Sequence, residues 1–449
     1  MTIMAARQAL LPGGWAENVR IHVENGLVQR VETGVETGAG PWHDVILPGM
    51  PNLHSHAFQH AMAGLAETRG PGADSFWSWR TLMYRFALSM SPDDAEAVAA
   101  KLYADMLEAG FTRIGEFHYL HHASDGSPYA DRAEMAVRIA AAAGRTGIAL
   151  TLLPVFYAHS GFGGQAPVEG QRRFINDLDG YQRLHEGCAA ALKGLDHAVL
   201  GIAPHSLRAA TAAELDALLA IHKTGPVHIH IAEQVKEVED CVAFTGQRPV
   251  EWLLANQPVD HRWCLIHATH MTDAETRAMA ASGAVAGLCP VTEANLGDGI
   301  FPAPAFRETG GQYGVGSDSN VLIGIGDELR QLEYSQRLGL RSRNVIAPPG
   351  VSTGRTLYDE ALSGGARALG AAAGIATGNP ADFLSLDLSA APWLTGDAVL
   401  DSLIFAGNLR PDTVWVAGRE QVRGGRHLER EAIDDRFRAT MTALAASRG

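Results

Sequence analysis

Cysteine and lysine are both scarce in this sequence. The cysteines form no CxxC pair, and the stretch "MTIMAARQALLPGG" lacks the long apolar segment and small-residue cleavage site of a secretory signal. Both absences argue against a secreted, disulfide-bonded protein. We therefore expect a reduced, cytoplasmic protein. The four cysteines are Cys188, Cys241, Cys264 and Cys289.

Long apolar runs and dense basic clusters are missing as well. No window approaches the continuous apolar length that is needed to cross a bilayer. The chain carries 36 basic and 50 acidic residues, which gives a net charge of -14, and it has no Lys/Arg-rich stripe. Because such a surface does not attract polyanions, we expect neither nucleic acid nor membrane as a partner.

Short apolar segments alternate with Ala/Leu-rich amphipathic stretches after residue 45. This alternation is typical of βα units around a parallel sheet. Eight units favour a closed (β/α)8 TIM-like barrel, and 449 residues leave room for a small second domain. The eight predicted strands are residues 45–56, 111–119, 148–156, 198–206, 226–233, 263–270, 284–290 and 313–320.

The two ends of the chain have a different pattern. Residues 15–32 predict a hairpin around Asn25-Gly26, and residues 379–427 contain further short strands. We therefore predict a small β-sandwich domain built from both termini. Its segments are 1–44 and 375–449, and the barrel spans 45–374. The aromatic-rich segment 70–85, "GPGADSFWSWRTLMYR", is a predicted lid over the barrel mouth.

The stretch "PNLHSHAFQH", residues 51–60, carries the first chemical signal. His54 and His56 are two apart and share one face of a strand, at the carboxyl end where barrel enzymes keep their chemistry. Imidazole is a common ligand of divalent metals. The HxH pattern alone is weak, since "HIH" repeats it at residues 228–230.

Further candidates end other predicted strands. His230 and Glu233 end the fifth, His267 ends the sixth and Asp318 ends the eighth. Histidines and carboxylates that converge on one rim are what a hydrolytic metal site requires. The sequence therefore predicts a catalytic metal centre.

Other histidines have simpler interpretations. His228 lies one layer deeper than His230, so we expect a hydrogen-bonded interior residue. His121 and His122 continue past a strand end without a carboxylate partner, so we expect a solvated loop there.

Several ordered motifs resemble the amidohydrolase superfamily over essentially the whole chain: "PGMPNLHSH", "HIHIAE", "LIHATH", "LCPVTEANLGDG" and "GVGSDSN". The HxxE pattern after strand five is similar to its deaminase branch. The resemblance implies that Glu233 is the proton shuttle, that His267 holds and polarises the attacking water, and that Asp318 assists. The metal ligands that it implies are His54, His56, His230 and Asp318.

The number of metal ions follows from the scarcity of lysine. Two-metal members of the superfamily use a carboxylated lysine at the end of strand four. The chain has four lysines, and none ends a predicted strand. We expect one divalent ion per chain, with zinc preferred over iron or manganese. The lysines are Lys101, Lys193, Lys223 and Lys236.

The loop sequences indicate the substrate class. "CPVTEANLGDG", "HSHAFQ", "FWSWR" and "APHSLRA" resemble the formimidoylglutamate deiminases. That resemblance implies hydrolysis of N-formimino-L-glutamate to N-formyl-L-glutamate and ammonia. Arginine pairs bidentately with carboxylates, so Arg80 and Arg208 are the expected contacts of this small substrate. Further expected polar contacts are Gln59, Tyr119 and His205.

Two alternatives stay open. The chain could deaminate a guanidine, an aminopyrimidine or a purine, with "FWSWR" stacked on the ring; the pocket would then be dominated by aromatics and not by arginines. It could also be a non-catalytic barrel that acts as a binding protein. In each case we expect a homodimer.

Overall fold

The computed structural model describes residues 2–38, 40–69 and 76–446. Within these ranges the strands are β1 Thr2–Leu11, β2 Gly14–Glu24, β3 Leu27–Glu32, β4 His43–Pro48, β5 Met50–Ser55, β6 Phe111–His118, β7 Ala149–Phe156, β8 Val199–Leu200, β9 Ala203–Pro204, β10 Val227–Ile231, β11 Trp263–His267, β12 Val285–Leu288, β13 Gln312–Val315, β14 Phe383–Leu386, β15 Pro411–Val416, β16 Arg419–Arg423 and β17 Arg426–His427.

The helices of the same ranges are α1 Phe76–Ser89, α2 Pro92–Glu108, α3 Glu134–Thr146, α4 Leu178–Ala191, α5 Ala212–Ile221, α6 Val235–Thr245, α7 Pro249–Asn256, α8 Asp273–Ser282, α9 Pro290–Leu296, α10 Ala303–Glu308, α11 Ile325–Leu340, α12 Thr353–Ala368, α13 Asp397–Asp401 and α14 Arg430–Ala446. Shorter helical turns are Ala57–Met62, Glu169–Gln171 and Ser402–Ala406. None of the helices in the described ranges has the length and apolar character that crossing a membrane demands.

Strands β5 to β13 form the barrel. They pair in parallel as β5-β6-β7-β8, with β9 also on β7, and as β10-β11-β12-β13. Single bridges join these two groups, Ser55 to Asp318 on one side and Ser206 to His230 on the other. The two short strands β8 and β9 together occupy the fourth position. The predicted (β/α)8 class is therefore confirmed.

Burial explains why these segments are strands. All eight residues of β6 and all eight of β7 are buried, as expected for parallel strands covered on both faces. The helices begin where side chains cap them: Ser91, Thr211 and Thr272 each accept a hydrogen bond from a backbone N–H of the first turn. Local sequence and core burial thus agree.

Both termini contribute to a second sheet, as the sequence predicted. Its strands follow one hydrogen-bonded path, β17-β16-β15-β14-β4-β1-β2-β3, and not two separate sheets. The predicted first barrel strand, 45–56, is wrong as a single strand, because β4 belongs to this sheet and β5 to the barrel. The chain changes sheet at Gly49, where a Cβ atom would lie 2.2 Å from Thr112 Cγ2.

The domain limits follow from this change of sheet. We propose Gly49, and not residue 44, as the first boundary of the barrel. At the other end α14 packs against α2, where Arg430 pairs with Asp105 at 2.5 Å and Arg436 with Glu96 at 2.5 Å. We therefore propose that α14 belongs with the barrel. Of the predicted lid, α1 is described, whereas residues 70–75 lie outside the described residues.

Close packing of α12 on β13 gives the first prediction. A Cβ atom on Gly364 would lie 1.9 Å from Tyr313 O, whereas on Gly339 of α11 the nearest atom, Ile300 Cδ1, is at 3.5 Å. We expect Gly364→Ala to lower the free energy of unfolding by at least about 1–3 kcal/mol. Gly339→Ala should be neutral or slightly stabilising. Thermal melting of both variants measures this, and equal midpoints would contradict the packing.

Candidate active site

Four side chains meet at the carboxyl rim of the barrel: His54, His56, His230 and Asp318. Their ligand atoms all lie within 4.8 Å of one another, and all four residues are buried. The Nε2 atoms of His54 and His230 are 3.0 Å apart. Asp318 Oδ1 is 3.4 Å from His54 Nε2 and 3.2 Å from His56 Nε2. The structure thus brings together the four predicted metal ligands.

The chemistry of these donors fits a divalent cation. His56 Nδ1 donates to Phe117 O at 2.9 Å, which leaves its Nε2 atom available to a metal. Burial lowers the pKa of His54 to about 3 and also lowers that of His230, so both rings are neutral. Three imidazole nitrogens and a carboxylate thus converge, and zinc accepts this ligand set.

Asp318 remains ionised although it is buried. Burial raises the pKa of a carboxyl group, but the contacts with His54 and His56 outweigh it and hold the pKa of Asp318 well below its usual range. A second group within the same 4.8 Å limit consists of His267, Cys289 and Asp318. It shares Asp318 with the first, so the two groups overlap.

Glu233 and His267 lie beside this cluster. Burial raises the pKa of Glu233, although the charges of His267 and Arg208 oppose the shift. Burial would lower the pKa of His267, but the carboxylates of Glu233, Glu293 and Asp318 raise it to about 10. His267 Nδ1 is 3.4 Å from Glu293 Oε1, and its Nε2 is 3.9 Å from Asp318 Oδ2. The rim therefore holds a protonated imidazole next to a carboxyl group that can take up a proton.

The backbone at the rim is strained. His267 has a φ of 67°, Asp318 of 43° and Asn320 of 58°, and Ala232 beside Glu233 has 50°. Residues other than glycine rarely adopt this left-handed conformation, and those that do cluster at functional sites.

One cavity of about 540 Å³, which includes space open to solvent, adjoins the cluster. All five predicted substrate contacts line it. Its lining consists of His56, Gln59, Phe76, Trp79, Arg80, Met83, Tyr84, Tyr119, Tyr157, Phe174, His205, Arg208, His230, Glu233, His267, Leu296 and Asp318.

The lining combines both predicted kinds of side chain. The guanidinium carbon of Arg80 on α1 lies 4.5 Å from the centroid of the Trp77 ring, a favourable cation–π contact. Gln59 donates to the hydroxyl of Tyr119 at 2.9 Å. Among the described residues, six aromatic rings line the cavity beside the two arginines, so it offers matching side chains to a dicarboxylate and to a flat ring.

Arg208 occupies a more buried position than a loop residue suggests. It is 9% exposed, and its Nη2 atom lies 3.9 Å from Glu237 and 4.0 Å from Glu233. Its Nε atom has no hydrogen-bond partner within the described part of the chain. The guanidinium therefore faces two acidic groups and still has an unused donor.

For the histidines outside the cluster, the prediction for His228 is confirmed and the prediction for His121 and His122 is wrong. His228 is an interior residue, as expected, and its Nε2 donates to Ala368 O at 2.7 Å. His121 and His122 are not solvated; both are buried, at 2.9 Å from Val155 O and 2.7 Å from Ile175 O. The loop packs against the segment around Arg173, because the backbone N–H groups of His121 and His122 both donate to Arg173 O.

Three buried residues were not assigned from the sequence. Glu237 accepts hydrogen bonds from the backbone of Ala232 and Glu233 at 3.2 Å. Glu293 faces His267, and Asn320 joins the ends of β5 and β13. For Glu237 the sequence offered one signal, its position four residues after Glu233 on the first turn of α6. Glu293 and Asn320 lie in the motifs "LCPVTEANLGDG" and "GVGSDSN", but their contacts with distant segments cannot be deduced from the sequence.

Comparisons with known proteins agree with this geometry. The amidohydrolase family model matches residues 45–420, and the model of the formimidoylglutamate deiminase HutF N-terminal domain matches residues 1–42. The formimidoylglutamate deiminase of Pseudomonas aeruginosa is 53% identical over 440 residues, with 96% of this chain and 97% of that protein covered.

Solved structures share the architecture. The crystal structure of an amidohydrolase from Brucella melitensis has a TM-score of 0.97 and 61% identity, with 99% of this chain and 100% of that chain covered. An adenosine deaminase from Xanthomonas campestris with bound zinc has a TM-score of 0.81 and 21% identity, with 99% and 98% covered. At 21% identity, the adenosine deaminase shows that the two chains share a fold and no more than that.

The HxH repeat provides a matched test of the cluster. We expect His230→Ala to lose most of the divalent metal that the wild-type chain retains after dialysis, because a ligand is removed. His228→Gln keeps a donor near Ala368 O and should retain the metal. Elemental analysis of the three proteins measures this. Equal loss in both variants would mean that the cluster does not hold the ion.

Proposed function

The chain belongs to the amidohydrolase family, and we propose that it hydrolyses N-formimino-L-glutamate to N-formyl-L-glutamate and ammonia. It is a hydrolase and not a non-catalytic barrel. The observation that carries the proposal is one pocket that joins the rim cluster to Arg80 and Arg208. The rim cluster is the group His54, His56, His230 and Asp318. The chain is also 53% identical to a formimidoylglutamate deiminase. The expected homodimer and cytoplasmic location stay predictions.

The residues that would hold the metal are His54, His56, His230 and Asp318. When bound there, a divalent ion supplies Lewis acidity that makes water a nucleophile at neutral pH. We propose one ion per chain, because none of the four lysines lies at the carboxyl end of a described barrel strand. Zinc is the preferred ion, because histidine and aspartate are ligands that it commonly takes. Two equivalents in active protein would contradict this.

Glu233 is placed to move the proton. It faces the pocket beside His267, and its raised pKa lets it hold a proton more readily than an exposed glutamate. It accepts a proton from the attacking water and delivers it to the formimino nitrogen. The water oxygen bonds to the formimino carbon and gives a tetrahedral intermediate with an –NH2 group. Glu233 then carries the remaining proton of that oxygen to the same nitrogen, the C–N bond breaks, ammonia leaves and the C=O bond of the N-formyl group forms.

His267 and Asp318 orient the reacting oxygen. A protonated His267 donates and an ionised Asp318 accepts, so a water molecule or the oxygen of the tetrahedral intermediate can be held by both. Glu293 fixes the His267 ring through Nδ1 at 3.4 Å and stabilises its charge. Both side chains are buried, which strengthens these interactions.

Arg80 and Arg208 would bind the carboxylates of the substrate. Arg80 carries a positive charge into the pocket from α1, and Arg208 contributes from the turn after β9. Because Arg208 also faces Glu233 and Glu237, its charge is partly offset, and it influences proton transfer as well as binding. Gln59, Tyr119 and His205 would add polar contacts.

A second candidate is deamination of a ring amine. The six aromatic side chains of the pocket favour it, since they could stack on a flat heterocycle. An ammonia-release assay with N-formimino-L-glutamate, guanidino acids and heterocyclic amines separates the two candidates. The proposed function requires the formimino substrate to be turned over with the highest kcat/KM.

The proton shuttle gives a prediction about turnover. We expect Glu233→Gln to lower kcat about 10²–10⁴-fold or more while it keeps the metal, because an amide cannot transfer the proton. The control is Glu239→Gln, an exposed carboxylate on the same helix α6, which should behave like the wild type. Near-normal turnover of the Glu233 variant would exclude the assigned role.

Substrate recognition gives a prediction about specificity. Arg80→Met should lower kcat/KM for N-formimino-L-glutamate on the order of 10-fold or more, since a charge-assisted pair is lost. The loss should be much smaller for an analogue that lacks the carboxylates. Arg85→Met, at an exposed position of α1, is the control. Arg208→Met should impair both substrates, because it also removes the charge beside Glu233. Equal small effects of Arg80→Met on both would favour the ring amine.

A further inference from the structure

His60 closes the "HSHAFQH" stretch, and the proposed chemistry leaves it unused. It lies in the helical turn Ala57–Met62, and its side chain is 13% exposed. Its Nδ1 atom is 3.0 Å from the backbone oxygen of Asn320. Its Nε2 atom is 3.3 Å from Asp105 Oδ2. The ring therefore connects the loop after β13 with helix α2.

Both partners of His60 are acceptors. A backbone carbonyl only accepts hydrogen bonds. Burial opposes the ionisation of Asp105, but the hydrogen bond from His60 and the charge of Lys101 hold the pKa of Asp105 well below its usual range, so it accepts too. Each ring nitrogen of His60 thus faces one acceptor: Nδ1 faces Asn320 O, and Nε2 faces Asp105.

A cluster of ion pairs beside His60 holds Asp105 in place. Asp327 and Arg330, which line the same cavity, pair with each other. The cluster consists of Asp105, Glu108 and Asp434 with Lys101 and Arg430, joined by contacts of 2.5–3.6 Å.

Asn320 transmits the contact to the active site. It is fully buried, and its φ of 58° is left-handed. Its side-chain amide donates to His56 O at 3.1 Å and to Asp318 O at 2.9 Å. The bond from His60 thus holds the peptide of a residue that fixes the backbone of two proposed metal ligands.

We propose that His60 is a positioning residue that holds Asn320 and through it the ends of β5 and β13. Its effect on turnover rests on the proposed function. The contact with Asp105 orients the ring, and the bond to Asn320 O acts on the site. Turnover should therefore depend on the bond to Asn320 O.

Two amide variants separate the two bonds. His60→Asn places its amide nitrogen near the position of Nδ1 and keeps the bond to Asn320. His60→Gln places it near Nε2 and keeps the bond to Asp105. We expect His60→Gln to lower kcat on the order of 10-fold with KM nearly unchanged, and His60→Asn to retain most of kcat. Equal losses, a larger loss in His60→Asn, or no loss in either overturn the proposal.

Thermal melting tests the contacts of His60 without a substrate. His60→Asn and His60→Gln each keep one of the two bonds, whereas His60→Ala keeps neither and should melt below both of them. A His60→Ala variant that melts like the wild type overturns the proposed contacts. A wild-type chain that does not hydrolyse N-formimino-L-glutamate would refute the proposed function, whereas the melting curves would still test His60.

Discussion

Parallel pairing of the first and eighth barrel strands is the interaction on which the rest of the structure depends. His56 N donates to Asp318 O at 3.1 Å, and Asp318 N donates to His54 O at 3.0 Å. These bonds close the barrel and bring residues from opposite ends of its sequence to one rim. Gly316 allows the approach, since a Cβ atom there would lie 2.7 Å from His54 N. The rim cluster is thus fixed by backbone geometry and not by flexible loops.

The buried polar groups and the strained backbone at the site lower the stability of the fold, and the rest of the molecule compensates for this loss. Buried groups such as Arg208, Glu233 and Glu237 lose hydration, and their mutual attraction compensates only in part at 3.9–4.0 Å. Left-handed residues at the rim add backbone strain. The strands and helices around them form a large apolar core. This division allows polar groups to stay poised for chemistry within a rigid scaffold.

The groups proposed for catalysis and those proposed for recognition come from different parts of the chain. The rim cluster, Glu233 and His267 lie on or directly after barrel strands, where positions are rigid. Helix α1 contributes Phe76, Trp79 and Arg80 to the wall of the pocket. Because α1 lies outside the barrel strands, its side chains can select a substrate without moving the hydrolytic groups. Arg208 links the two parts, since it faces both the pocket and Glu233.

The sequence by itself determined the barrel and the strand ends that carry candidate metal ligands, and the family resemblance singled out the four residues of the rim cluster. Such features follow from local periods: burial on both faces defines a parallel strand, and i, i+2 spacing places His54 and His56 on one face. Only the tertiary structure decided that the chain changes sheet at Gly49, that His121 and His122 are buried, and which partners Arg208 and His60 have. Those outcomes depend on contacts between segments far apart in sequence. A local pattern cannot encode them, because the same residue types suit both a solvated loop and a buried hydrogen bond.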